Sequence, residues 1–111
     1  MTDTPLTEQS FYILVALAQP LHGYGVIKKV EAMSNARVVL GPGTLYGALN
    51  ALKKKGWIQP ADAPQGDDRR KGYVITPEGQ TVLKADLARM EELVAHGRAV
   101  IETWERADAA E

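Results

Sequence analysis

The chain has 111 residues, enough for one compact domain and too few for two ordinary ones. Its 45% apolar residues suffice for a core, and the absence of cysteine excludes disulfides, thiolate metal sites and cysteine nucleophiles. The net charge of -1 hides an uneven spread: residues 1–36 sum to -1, residues 37–76 to +4 and residues 77–111 to -4. An electrostatic footprint depends on local potential, and the middle third has it.

The opening MTDTPLTEQS has no basic residue ahead of an apolar stretch, so no secretion signal is expected. The longest apolar run, Phe11 to Ala18, has eight residues, against the ~20 that span a bilayer. The expected location is the cytoplasm, with no membrane contact.

A first helix is predicted from about Thr7 to Gln19, with Thr7 as a cap and Phe11, Leu14, Val15 and Ala18 at helical spacing, until Pro20 ends it. His22-Gly23-Tyr24-Gly25 opens a second helix with Tyr24, Val26, Ile27, Val30 and Met33 as its apolar stripe, closed by Ser34-Asn35. Arg37-Val38-Val39-Leu40 is β-branched enough for a short strand. Gly41-Pro42-Gly43 is a turn signal, and a third helix follows from Gly43 or Thr44 to Lys55, with Gly56 as a left-handed cap. Trp57 to Ala61 and about Lys71 to Thr76 are extended, and the polar stretch from Asp62 to Arg70 between them is the expected hairpin tip. Thr76-Pro77-Glu78 starts a last helix running to about Arg106: a capping hydroxyl, a proline at the first position and an acid facing the dipole. The fold class is therefore mainly α with a small β-hairpin. The element order is that of a winged helix-turn-helix domain over residues 1–76, followed by a long C-terminal dimerisation helix over residues 77–111.

The third helix has a reading face. Leu45, Leu49 and Leu52, with Ala48 beside them, form one narrow inward side. The opposite side presents Gly43, Gly47, Asn50 and Lys54, flanked by Tyr46 and Lys53 on one edge and Ala51 on the other. Small residues let the backbone approach a groove wall, Asn50 suits an adenine edge, Tyr46 a phosphate or thymine methyl, and the lysines suit phosphates. Arg69-Arg70-Lys71 at the hairpin adds a cation cluster for a phosphate backbone or minor groove, with Asp67 and Asp68 neutralising part of it. An ordinary polar surface remains the alternative for each feature alone. Their coincidence on one domain points to duplex DNA.

In the last helix Leu83, Leu87, Met90, Val94, Gly97, Ile101 and Trp104 follow alternating steps of four and three, and Leu93 and Val100 widen the stripe. At ~1.5 Å per residue such a helix is roughly 45 Å long, more than its own domain can cover, so a partner helix is expected.

Other chemistries find no support. The glycines at 41 and 43 lack the spacing of a dinucleotide or P-loop fingerprint. His22 and His96 lie on different helices without ligand-spaced company, so no zinc or other cofactor is expected. Glu91 and Glu92 point apart, and neither Ser10 nor Ser34 has a nucleophile's context, so an enzyme is not expected.

These segments resemble the PadR family of bacterial transcriptional regulators over about residues 6–80. The residues that carry the resemblance are Phe11-Tyr-Ile-Leu-Val-Ala-Leu17, His22-Gly-Tyr-Gly25, Gly41-Pro-Gly-Thr-Leu-Tyr-Gly-Ala-Leu49, Leu52 with Gly56-Trp57-Ile58, Arg69-Arg-Lys-Gly-Tyr73 and Ile75-Thr-Pro-Glu-Gly79. Trp57 departs from the family's usual leucine. The resemblance implies a homodimeric repressor of the short branch with a single C-terminal helix, bound to a pseudo-palindromic double-stranded operator and released by a small aromatic or hydrophobic effector. Carried over by position, the DNA-facing residues are Tyr24, Thr44, Tyr46, Asn50, Lys54, Arg69, Arg70 and Lys71, with His22 bracing the second helix. The family's sensor pockets lie between such C-terminal helices. The corresponding wall here is Phe11, Leu87, Met90, Val94, Gly97, Ile101 and Trp104, with plain interface packing as the alternative. A protein-interaction or sequestering module on the same scaffold, without operator binding, is the competing function.

Overall fold

The computed structural model describes residues 5–65 and 68–110, with only the backbone described at positions 65 and 68–70. The elements are α1 (Glu8–Ala16), α2 (Gly23–Met33), α3 (Pro42–Lys54), β1 (Ile58–Gln65), β2 (Asp68–Ile75) and α4 (Pro77–Ala109).

Local chemistry sets the helix starts. The Thr7 hydroxyl accepts from the Ser10 amide, the Thr76 hydroxyl from the Gly79 amide, and the His22 ring Nδ1 from the Gly25 amide at 3.2 Å. The His22 imidazole thus serves as a cap, as the sequence suggested. Gly56, at φ 79°, ends the third helix in the left-handed region.

α1, α2 and α3 close over one core. Ile13, Leu14 and Leu17 meet Val26 and Val30 of α2, Leu45, Leu49 and Leu52 of α3, and Trp57 and Ile58 beyond. The first fourteen residues of α4 share this packing through Val82, Leu83 and the buried Gly79 and Asp86.

Two expectations need correction. Residues 37–40 do not form a strand. Val38 and Leu40 are buried while Arg37 and Val39 are exposed, so the alternation is real, but no strand lies alongside. The Val38 amide is instead taken by the Ser34 hydroxyl at 3.0 Å, and Asn35 and Ala36 turn the chain with φ of 52° and 63°. The third edge of the wing is Leu21. It exchanges both backbone hydrogen bonds with Tyr73, at 3.1 and 3.0 Å.

The hairpin is also longer than predicted. Pairing runs from Ile58↔Ile75 out to Gln65↔Asp68, which absorbs most of the stretch expected as a loop; positions 66 and 67 lie outside the described residues. Because Tyr73 spends both backbone groups on Leu21, it turns away from β1, and its partner Pro60 gives up no ladder bond. Pro64 has the same parity. Pro64, which read as loop punctuation, therefore fits the strand.

Candidate nucleic-acid interface

α3 begins at Gly41, whose missing side chain leaves the first turn uncapped, followed by Pro42 at the first position. Its inward side is nearly dry: Leu45, Leu49 and Leu52 are at most 3% exposed. Gly43, Thr44, Tyr46, Gly47, Asn50, Lys53 and Lys54 are all exposed. The division expected from the sequence is observed residue for residue.

The glycines on this outer side have no internal purpose. A Cβ added to Gly43 or Gly47 meets no atom within 4 Å, and neither has positive φ. Glycine within a helix costs about 1 kcal/mol relative to alanine, so two in thirteen residues weaken α3 for no reason inside the chain. They leave the backbone on this side of α3 open to close approach from outside.

Gly23 is different. A Cβ there falls 2.8 Å from the Tyr46 hydroxyl and 3.4 Å from Leu45 Cδ2, so its absence lets the start of α2 sit against the flank of α3. The neighbouring Tyr24, expected both in the apolar stripe and on the DNA side, is 57% exposed, and the Lys28 ammonium stands 5.2 Å from its ring centroid. Tyr24 and Tyr46 are thus two half-exposed aromatic rings on the helices that meet at Gly23. Lys28, on the polar side of α2, was not among the expected DNA-facing residues; its spacing of four from Tyr24 was the available signal for this contact.

Lys53 and Lys54 lie in the last turn of α3, where cations complement the helix dipole. Lys71 is exposed in β2, in register with Asp62. Arg69 and Arg70 belong to β2 by backbone; their side chains, with Asp67, lie outside the described residues. The wing is tied to the helical body by Leu21 and by the Ile75 amide, which donates to the Leu17 carbonyl at 2.8 Å.

The expected sensor wall is split. Phe11, Leu87, Met90 and Val94 line one open groove of about 610 Å³ between α1 and α4, together with Glu91, Ala95 and Arg98. Gly97, Ile101 and Trp104 do not reach it; they lie further along α4, where Ile101 is 46% and Trp104 63% exposed. Among the described residues no group of three histidines, cysteines or acids could hold a metal ion, and no helix is long and apolar enough to cross a membrane.

A profile of the transcriptional regulator PadR-like family matches residues 13–85, from the core of α1 to the first half of α4. The chain belongs to the PadR-like family. The family is one of transcriptional regulators, and the fold is its winged helix. A PadR family transcription regulator from Clostridium difficile superposes with a TM-score of 0.70 at 21% identity, covering 86% of this chain and 99% of that one. A PadR family regulator from Eggerthella lenta gives 0.65 at 26% identity over 85% and 81%. An uncharacterised 37.1 kDa protein of transposon TN4556 from Streptomyces fradiae is 38% identical over 82 residues, 73% of this chain. The chain spans only 22% of that relative's length.

Proposed function

We propose that this PadR-like chain is a sequence-specific, homodimeric repressor that binds a pseudo-palindromic operator in the cytoplasm and releases it when a small aromatic or hydrophobic molecule enters between its C-terminal helices. The observation that carries DNA reading is the outer side of α3: Gly43 and Gly47 leave open space beside Asn50, Tyr46 and Lys54. Asn50 would read a base edge in the major groove, Tyr24, Thr44, Tyr46 and Lys54 would fix the register on phosphates, and Arg69, Arg70 and Lys71 would hold the flanking backbone. Residues 1–76 would serve as the DNA-binding unit and residues 77–111 as the dimerisation helix. The exposed Leu87, Leu93, Val94, Val100, Ile101 and Trp104 support the dimer, because six large apolar side chains on one helix of a small chain leave a surface that association removes.

Lys54→Ala combined with Arg70→Ala tests the DNA reading. Operator binding should fall by at least 100-fold and the slope of log affinity against log salt should drop by about 2, with the dimer intact. Binding that ignores both the substitutions and salt would favour the sequestering module. The effector has its own readout. With Trp57 replaced by Phe, Trp104 is the one tryptophan left, and its emission should shift as an aromatic inducer is titrated. Emission that never moves across such ligands argues against this pocket.

A further inference from the structure

α2 carries an aromatic ring and a cation that the core does not use. Tyr24 and Lys28 are both exposed, and the Lys28 ammonium lies 5.2 Å from the Tyr24 ring centroid. No carboxylate among the described residues pairs with Lys28, although Glu31 stands three residues on. A surface lysine ordinarily samples many rotamers and loses that freedom when it binds. Here the ring already favours one of them.

The direction of this contact matters. A helical side chain leans toward the N-terminus, over the turn before its own, so Lys28 reaches back over Tyr24 to the start of α2. That start is the end that meets α3: a Cβ on Gly23 would fall 2.8 Å from the Tyr46 hydroxyl. Tyr46 flanks the outer side of α3, where Thr44, Asn50 and Lys54 are also exposed. The ammonium is thus drawn toward the end of α2 from which that outer side begins. Lys29 shares the helix and the exposure but not the placement. It lies about 100° further round α2, and no aromatic ring among the described residues holds it.

We propose that Lys28, held over the Tyr24 ring, grips a DNA phosphate on the strand beside the groove that α3 enters, with Tyr24 as its platform. A charged, exposed and pre-placed ammonium suits a phosphodiester oxygen: the attraction is to a point charge, it needs no base identity, and part of the ordering precedes the DNA. The face of a tyrosine ring holds an ammonium without neutralising it, as a carboxylate would. This inference rests on the DNA reading proposed above. It adds a contact from α2 and makes Tyr24 a positioning residue that acts through Lys28.

The test is a set of single and double substitutions in the full chain, measured across salt concentrations on a half-site duplex and on a scrambled duplex. Lys28→Gln keeps most of the stem and removes the charge. It should weaken binding to both duplexes about fivefold and lower the slope of log affinity against log salt by about 1. Lys28→Arg should recover most of that loss, and Lys29→Gln should move neither affinity nor slope. Tyr24→Leu removes the ring without touching a charge and should cost about threefold, while Tyr24→Phe, which keeps the ring, should cost clearly less. In the Lys28→Gln background Tyr24→Leu should cost nothing further, a coupling that general loss of fold does not produce. Lys28→Gln with the parental affinity and slope would overturn the contact. Equal losses for Tyr24→Phe and Tyr24→Leu, additive with Lys28→Gln, would give the phosphate to the Tyr24 hydroxyl and overturn the platform. A parent chain that binds neither duplex would overturn the DNA reading itself, a separate result.

Discussion

Gly79→Ala is expected to lower folding stability by about 3 kcal/mol, a fall in Tm of roughly 15 °C for a domain this size. Gly79 is buried in the first turn of α4, and an added Cβ would stand 2.2 Å from the Trp57 carbonyl oxygen and 2.8 Å from Ile75 Cγ1. Neither the Trp57 backbone nor this turn of α4 can yield easily. The Trp57 carbonyl accepts from the Thr76 amide at 2.9 Å, and the Thr76 hydroxyl donates to the Gly56 carbonyl at 2.6 Å. Gly47→Ala should do the opposite. Open space surrounds that position, so alanine should stabilise α3 by about 0.5–1 kcal/mol. The same methyl group would stand between the helix backbone and a groove wall, so operator affinity should drop even as the Tm rises. Thermal unfolding and a binding isotherm on both variants check the pair; a Gly47→Ala protein that gains stability and binds DNA unchanged would remove the argument from the outer glycines.

The second large effect concerns the far half of α4. Ending the chain after Glu92 should leave the body folded, because every described residue from 93 onward is exposed and none belongs to the core. The Tm should change by only a few degrees. Operator binding should fall by roughly 100-fold or more, since two half-sites would no longer be engaged by one linked pair of reading heads. Binding to an isolated half-site should be nearly untouched, which separates lost linkage from lost folding. If the truncated chain still binds the full operator as tightly as the parent, the far helix has no part in DNA binding.

Much of this was legible in the residues. Leu45, Leu49 and Leu52 fix the inward side of α3 by spacing alone, and Thr7, His22, Gly56 and Thr76 announce helix ends through local chemistry that tertiary context does not override. What the sequence concealed was pairing at a distance. Arg37–Leu40 has strand propensity but no neighbour, and Leu21, in a turn between two helices, takes the place at the wing edge. Gly72 gave the available hint: a Cβ there would lie 2.2 Å from the Leu21 carbonyl oxygen. The strand length escaped because proline parity matters only once the ladder is known.

Asp86 was missed for another reason. It stands in line with Gly79, Leu83 and Met90 at steps of four and three, an acid on a buried side. It is 1% exposed, accepts from Arg89 Nε at 2.9 Å and from the Leu6 amide at 3.4 Å, and so fastens the segment before α1 to α4. The outer side of α3 was readable because exposure follows helical period. The groove beside Phe11 was only partly so, because Gly97, Ile101 and Trp104 lie further along α4 than the residues that line it.

The knot of Gly56, Trp57 and Thr76 makes a mechanical connection. It joins the end of α3 to the start of α4, so the reading helix cannot turn without the long helix turning too. From Thr76 to residue 95, near the middle of the exposed apolar stripe where a partner helix would cross, is about 28 Å of helix. A change of only 5° in the crossing angle would swing each knot by about 2.5 Å at that radius. In the proposed dimer both protomers would move, so the separation of the two α3 helices would change by several ångströms, against a half-site repeat of about 34 Å. If the proposed dimer forms, α4 would act as a lever: a ligand that spread or tightened the crossing by one side chain's width would shift the spacing of the two α3 helices without touching either of them.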